Sequence, residues 1–343
     1  MSKHAVNDLA KIDRTMRILA VTNAYPTPEA PASGTFIEQQ IKGLRNIGLT
    51  VDLLFVNRAQ AGMRAYIGLR RSAREKVAEF QPDAVHVMYG GLMADIVTGA
   101  INDTPVVVSF CGSDLLGENL SGTVRKLVAH YGVLASHKAA GRAAGIIVKS
   151  KDLQDALPAS VARRKIRIIP NGVDLERFQP LDRNKCRQQL GWQMDAFHVL
   201  FPANGGDPVK RPELARASVN LLSHLGIHAE IHLLTGVKHD QVPVWINASD
   251  VVLLTSLQEG SPNIIKESLA CNLPVVSVDV GDVRERTKGI RGCYITPPNP
   301  NDLADKLRLV YSGKRRVNGR IKMKELSLES IALQLKRLYR DLC

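Results

Sequence analysis

Apolar residues run in short unbroken blocks along the chain, separated by longer stretches in which they recur every three or four positions. The blocks predict strands at 17–22, 50–56, 84–88, 105–110, 145–149 and 166–169, then at 198–202, 229–234, 250–254, 274–278 and 293–295. Continuous Val/Ile/Leu runs alternating with helical patterns imply parallel sheets covered on both faces, and so an α/β fold. Between 170 and 197 the alternation is interrupted by Pro170, Pro180 and a polar stretch. The chain therefore reads as two copies of one architecture, residues 1–170 and 171–328. A closing helix comes last, at 329–343, with Ile331, Leu335, Leu338 and Leu342 on one stripe. A ligand is expected in the cleft between the carboxyl ends of the two sheets.

The 343 residues suffice for two domains with full cores. No segment approaches the ~18 uncharged apolar residues of a membrane span, and the first residues lack the apolar core of a signal peptide. The five cysteines (Cys111, Cys186, Cys271, Cys293, Cys343) are odd in number and scattered. They have neither disulfide nor metal-ligand spacing, so a reducing cytosol is the expected compartment.

Charge adds a second theme, with a net +13 at pH 7. Arg58, Arg64, Arg70, Arg71, Arg74 and Lys76 crowd one stretch in which Tyr66, Leu69, Ala73, Val77 and Phe80 recur at helical spacing. This predicts a cationic amphipathic helix, either an ordinary solvated face or one that lies on an anionic membrane surface. Nucleic acid is a poorer partner, because only 5% of residues are aromatic and no recognition motif is present.

Candidate chemistry concentrates after the strand at 250–254, in Glu259-Gly260-Ser261-Pro262-Asn263-Ile264-Ile265-Lys266-Glu267. Ser261 is a natural N-cap, and Pro262 suits the first helical position. The amides near 262–265 then face outward at a helix end whose dipole favours an anion. Glu267, in the second turn, can accept hydrogen bonds from a neutral diol. An anion site framed by two acceptors points to a nucleotide sugar.

With this motif in view, the chain resembles the family-4 retaining glycosyltransferases, which have two facing Rossmann-like domains (the GT-B fold) and an E-x7-E signature matched by Glu259 and Glu267. Other segments agree in order: Arg17–Thr22 with Tyr25-Pro26 and Gly34-Thr35-Phe36, then Pro170-Asn171-Gly172-Val173-Asp174-Leu175-Glu176-Arg177-Phe178, and Ser330–Tyr339. The resemblance spans roughly residues 16–342 and implies that the last helix crosses back onto the first domain. It implies that Glu267 binds the ribose, that Glu259 lies against the donor sugar, and that the amides at Ser261, Pro262, Asn263 and Ile264 meet the sugar and diphosphate. Relatives carry an Arg and a Lys on the diphosphate after the first strand of the second domain. Lys210 matches the Lys, or else is a capping or surface lysine. Asn204 stands where the Arg belongs, and the adjacent Arg211 is the candidate substitute. Gly34 lets a diphosphate approach the backbone, or simply opens a helix.

Cys111 stands where many relatives have a histidine near the reacting carbon; its other reading is a small buried residue at a strand end. Asp114 either orients an acceptor hydroxyl or caps the next turn. His86 reads as a satisfied core histidine. Asn272 replaces a common glycine, and asparagine tolerates positive φ. Between Gly236 and Asp250 there is room for a single short helix.

The resemblance implies a retaining, metal-independent transferase with no cofactor. It would use a UDP- or GDP-linked sugar donor and a glycan or polyprenyl-linked acceptor in surface polysaccharide assembly, in the cytoplasm or peripherally on the inner membrane face. In such enzymes the donor phosphate draws the acceptor proton. Two other classes remain: a nucleotide-sugar-binding protein of impaired catalysis, and a sugar-nucleotide epimerase. A nicotinamide dehydrogenase is disfavoured because no G-x-G-x-x-G opens either half.

Overall fold

A computed structural model describes residues 15–31, 33–117, 123–203 and 207–343, the side chains of 123–126 excepted. The first sheet contains β1 (Arg17–Thr22), β2 (Thr50–Phe55), β3 (Ala84–Met88), β4 (Val106–Phe110), β5 (Gly145–Val148) and β6 (Ile166–Ile168) in the order β2-β1-β3-β4-β5-β6. The second contains β7 (Phe197–Pro202), β8 (Ala229–Leu234), β9 (Val251–Leu254), β10 (Val275–Ser277) and β11 (Tyr294–Ile295) in the order β11-β10-β9-β7-β8. Every strand pair is parallel. The longer helices are α1 (Thr35–Asn46), α2 (Leu69–Phe80), α3 (Gly91–Thr98), α4 (Thr123–Arg142), α5 (Arg183–Leu190), α6 (Pro212–Ser223), α7 (Val242–Ala248), α8 (Asn263–Ala270), α9 (Pro300–Gly313) and α10 (Leu328–Arg340).

Burial on both faces explains the unbroken apolar strands. Along β1, Ile18 and Ala20 enter one core while Leu19 and Val21 enter the other. The core containing Ile18 continues through α10 into the second half. In each sheet the strand order reverses beside the first strand, at β1/β3 and at β7/β9. Ligands of open parallel sheets bind at such switch points, beyond the carboxyl ends. The segments after β7 and β9 carry Lys210 and Glu259, so topology brings these distant residues together.

The closing helix crosses onto the first sheet. Tyr339 is fully buried, with its hydroxyl 2.6 Å from His86 Nδ1, and the Lys336 ammonium donates to the Ile47 carbonyl. Gly172 leaves room for this crossing: a Cβ there would stand 3.0 Å from Leu328 Cδ2. His86 also meets Ser109 Oγ at 2.7 Å, which makes it the satisfied core histidine its strand position suggests. Asn272 adopts φ 59°. The stretch after Gly236 holds the one short helix α7.

The basic stretch differs from expectation. It is not one amphipathic helix but three pieces, Arg58–Ala61, Gly62–Tyr66 and α2. Gly62 and Gly68 break it at φ 56° and 77°. Leu69 and Ala73 are buried in the core under the first sheet, with Tyr66, Val77 and Phe80 packed against it. This apolar face is therefore occupied within the fold and is not free for a membrane.

Candidate active site

Lys210 ends a 3-10 turn, Pro208–Lys210, which Asp207 caps by accepting from Val209 N–H at 3.0 Å. The turn is held against the segment after β9: Leu257 N–H donates to the Val209 carbonyl at 2.8 Å, and Thr255 Oγ1 donates to the Lys210 carbonyl at 2.7 Å. So held, the Lys210 ammonium lies 2.6 Å from Glu259 Oε1, with both side chains largely buried. Sequence spacing did not indicate that these two candidates form an ion pair.

Arg211 is turned away, contrary to its candidacy for the diphosphate. Its guanidinium donates to the Thr255 carbonyl at 2.5 Å and the Ser256 carbonyl at 3.3 Å, closing the end of β9. The reason is local: Arg211 has φ 51°, which reverses the chain between the 3-10 turn and α6. Asn204 lies outside the described residues.

After Glu259 the chain passes through a tight point. A Cβ on Gly260 would stand 2.2 Å from the Cys111 carbonyl oxygen, and one on Gly281 would stand 2.6 Å from the Gly260 oxygen. Only glycine fits where the two halves touch this closely. Ser261 is not the helix cap; Pro262 holds that position and α8 begins at Asn263. The Ser261 hydroxyl instead donates to Asp282 Oδ2 at 2.8 Å and accepts from the Lys266 ammonium at 3.0 Å. Capping lost to this network because Lys266, one turn into the helix, is 1% exposed and needs acceptors. Beyond Pro262, the first-turn amides of Asn263 and Ile264 remain the helix end available to an anion. Asn263 Oδ1 also accepts from Asn171 at 3.4 Å across the halves.

Glu267 lies one turn further on. Burial pushes its carboxyl up to about 7, against the opposing pull of the Lys266 and Arg177 cations. His239, which the sequence reading missed, has Nε2 4.0 Å from Glu267 Oε1 and Nδ1 2.5 Å from the Arg177 guanidinium. Burial keeps His239 below its usual pKa, so the neutral ring accepts from Arg177 and turns its remaining N–H toward Glu267. His239 also lines a cavity of about 1240 Å³ between the halves, together with Tyr25, Thr35, Glu38, Arg177 and Val237. Gly34 opens α1 on the far wall at φ 65°, and a Cβ there would stand 2.2 Å from the Ala24 oxygen.

On the first half, Asp114 accepts from the N–H groups of Gly90, Cys111 and Gly112 at 2.7–3.1 Å. Of its two readings, the capping one matches this geometry. Burial pushes the Cys111 thiol up to about 12, so it stays protonated and brings neither charge nor a nucleophile.

The arrangement is a crevice with a fixed cation paired to a carboxylate, a helix N-terminus behind it, and a buried carboxyl beside a large cavity. Comparison with known proteins agrees. Residues 19–177 match the model described as Glycosyltransferase Family 4, and residues 195–312 match the one described as Glycosyl transferases group 1. The putative teichuronic acid biosynthesis glycosyltransferase TuaC of Bacillus subtilis is 23% identical, over 84% of this chain and 88% of its own length. A D-inositol 3-phosphate glycosyltransferase of Paenarthrobacter aurescens is 29% identical over 43% of each chain. Among solved structures, sucrose-phosphate synthase of Thermosynechococcus elongatus superposes with TM-score 0.77 at 18% identity, covering 96% of this chain and 99% of its own. The Anabaena protein HepE in complex with UDP-glucose does so with TM-score 0.68 at 17% identity, covering 95% and 100%. Two sheets facing across a crevice and two matched models, one on each half, make this chain a family-4-like glycosyltransferase of the GT-B fold.

Proposed function

We propose that the protein is a retaining, metal-independent glycosyltransferase that moves a hexosyl or N-acetylhexosaminyl residue from a nucleoside diphosphate sugar to a glycan or lipid-linked acceptor. The observation that carries this reading is the Lys210–Glu259 pair beyond the carboxyl ends of β7 and β9. Without a substrate, each group neutralises the other. An arriving diphosphate offers Lys210 a stronger anion and frees Glu259 to accept from a sugar hydroxyl. As the glycosidic bond breaks, charge builds on the leaving phosphate, where Lys210 and the first amides of α8 would stabilise it. The departing phosphate would take the acceptor's proton on the same face. Glu267 would accept from the ribose diol, with the nucleoside reaching toward His239 and Val237.

UDP is the favoured carrier, supported by the UDP-glucose complex of the HepE fold relative. A lipid-linked acceptor in surface polysaccharide synthesis, on the cytoplasmic side of a membrane, is supported by the relation to TuaC and by an exposed apolar stripe on α4: Leu127, Val128, Tyr131 and Leu134. Among the described residues no helix is long and apolar enough to cross a membrane. A second reading, a donor-binding protein of impaired turnover, draws on Arg211 being engaged elsewhere and Cys111 remaining a neutral thiol.

The test begins with melting temperatures in UDP-, GDP- and ADP-sugars, because a ligand of the native state raises stability. Donor turnover is then measured with chelator present, and the anomeric configuration of the product is read by NMR. Lys210→Met is expected to lower turnover about 100-fold or more while the protein stays folded. The reading fails if no nucleotide sugar shifts the melting temperature and Glu267→Ala changes nothing. Binding without turnover supports the second reading.

A further inference from the structure

Two lysines are buried where the halves meet, and neither is paired with a carboxylate among the described residues. Lys149 is 2% exposed and Lys266 1%. Lys149 comes directly after β5, and because Phe110 pairs with Val148, its neighbour across the ladder is Cys111. The Cys111 carbonyl lies against Gly260 of the second half, and the next residue, Ser261, receives the Lys266 ammonium at 3.0 Å (Oγ) and 3.3 Å (carbonyl). Lys149, Cys111, Gly260, Ser261 and Lys266 thus form one continuous path across the seam. Asn171 Oδ1, two residues beyond the Ile169 amide that bonds Val148, is buried there without a partner.

The nearby acids are held by other groups and form no ion pair with either lysine. Asp114 accepts from three backbone amides, and Asp282 Oδ2 accepts from Ser261 Oγ and is ion-paired with Arg286, while Asp282 Oδ1 is buried without a hydrogen-bond partner among the described residues. Lys149 has no hydrogen-bond or ion-pair partner among the described residues. A desolvated ammonium in this condition is costly, and burial lowers the pKa of both lysines. The group that would satisfy them is an anion with several oxygens.

We propose that Lys149 and Lys266 form an anion seat in the seam, separate from Lys210, that takes a phosphate or carboxylate group of the donor and draws the two halves together over it. This rests on the nucleotide-sugar reading and sharpens it. The anion is either the donor's own diphosphate, with the seat supplying charge that Arg211 does not, or a carboxylate on the transferred sugar, which would make the donor a nucleotide uronate.

Calorimetric titration of the full chain with inorganic phosphate, pyrophosphate and glucuronate, with glucose as the neutral control, tests this directly. The wild type is expected to bind pyrophosphate or glucuronate and not glucose, and whichever anion binds more tightly identifies the source. Lys149→Met and Lys266→Met, in different halves, should each weaken that binding about tenfold or more. Empty Lys149→Met should melt above the wild type, because an unpaired buried charge has been removed, and this also verifies that the variant folds. The proposal is overturned if both variants bind the anion within about twofold of the wild type, or if no anion binds the wild type at all. Failure of the nucleotide-sugar reading looks different: pyrophosphate or glucuronate still binds in a Lys149-dependent way while no nucleotide sugar does.

Discussion

Burial pushes the adjacent residues Lys266 and Glu267 in opposite directions, the lysine down to about 8 and the carboxyl up to about 7. For Glu267 the consequence is a stability term with a definite sign. Its folded pKa lies above the ordinary carboxylate value, so between about pH 4.5 and 7 the native state holds more protons than the unfolded chain. Its contribution therefore falls as pH rises through that window and stays low above it. The cost at neutral pH and above is on the order of 3 kcal/mol at most. Glu267→Gln should raise the melting temperature of the empty protein at about pH 8 and leave it nearly unchanged near pH 4.5, while weakening donor binding. An equal shift at both pH values would show that the buried carboxyl is not the source. A chain that keeps such a cost fits a group held for its ligand. The motif located Glu267 in the sequence, and apolar patterning located His86. His239 and Lys149 were not legible, because a histidine in a loop and a lysine at the end of a strand acquire meaning only when another element covers them. Lys266 stood inside the motif, but its reach back to Ser261 depends on Asp282, which is distant in sequence.

Among the elements, strands were read most accurately, since β1, β3 and β8 coincide with their apolar blocks and the rest differ by a single residue at one end or, for β10, at both. Buried parallel strands leave little ambiguity, because both faces must be apolar. The basic stretch was misread because its apolar spacing continues through Gly62 and Gly68, where positive φ ends each helical piece. Helix α10 was read correctly from its stripe, but its polar anchor was not. Tyr339 meets His86, itself held neutral because burial takes its pKa down to about 3. A neutral imidazole has one donor and one acceptor, so Tyr339 and Ser109 complete it. Tyr339→Phe leaves a buried ring nitrogen unpaired and should cost about 1–3 kcal/mol in urea unfolding. Leu335→Ala, which removes apolar volume from the same helix, should cost about 2–5 kcal/mol. A Tyr339→Phe variant as stable as the wild type would mean that another donor or water replaces the hydroxyl.

At the scale of the molecule, α10 comes after the second half in sequence but completes the core of the first. Ile331, Ala332, Leu335, Leu338 and Tyr339 are buried in the same core as Ile18, Ile37, Ile41, Leu44 and Val107. At roughly 1.5–3 kcal/mol for each large side chain, this one helix contributes on the order of 10 kcal/mol, comparable to the net stability of a whole domain. The second sheet does not depend on the helix in this way: β7, β9 and β10 are flanked by α6, α8 and α9, whose buried faces carry Val219, Leu269 and Leu307. Removing residues 328–343 should therefore unfold the halves unequally. In hydrogen exchange, the amides of β1, β3, β4 and α1 are expected to lose protection, while those of β7, β9 and β10 keep it. If both halves lost protection together, the seam at Cys111–Gly260 and the Gln258–Gly117 hydrogen bond would be strong enough to join them into one cooperative unit. Protection unchanged throughout would remove α10 from the account of the first core. The expected, unequal outcome also bears on the crevice. The halves would then be separate bodies tied by a helix and a narrow seam, free to open for a donor and to close when an anion bridges Lys149 and Lys266.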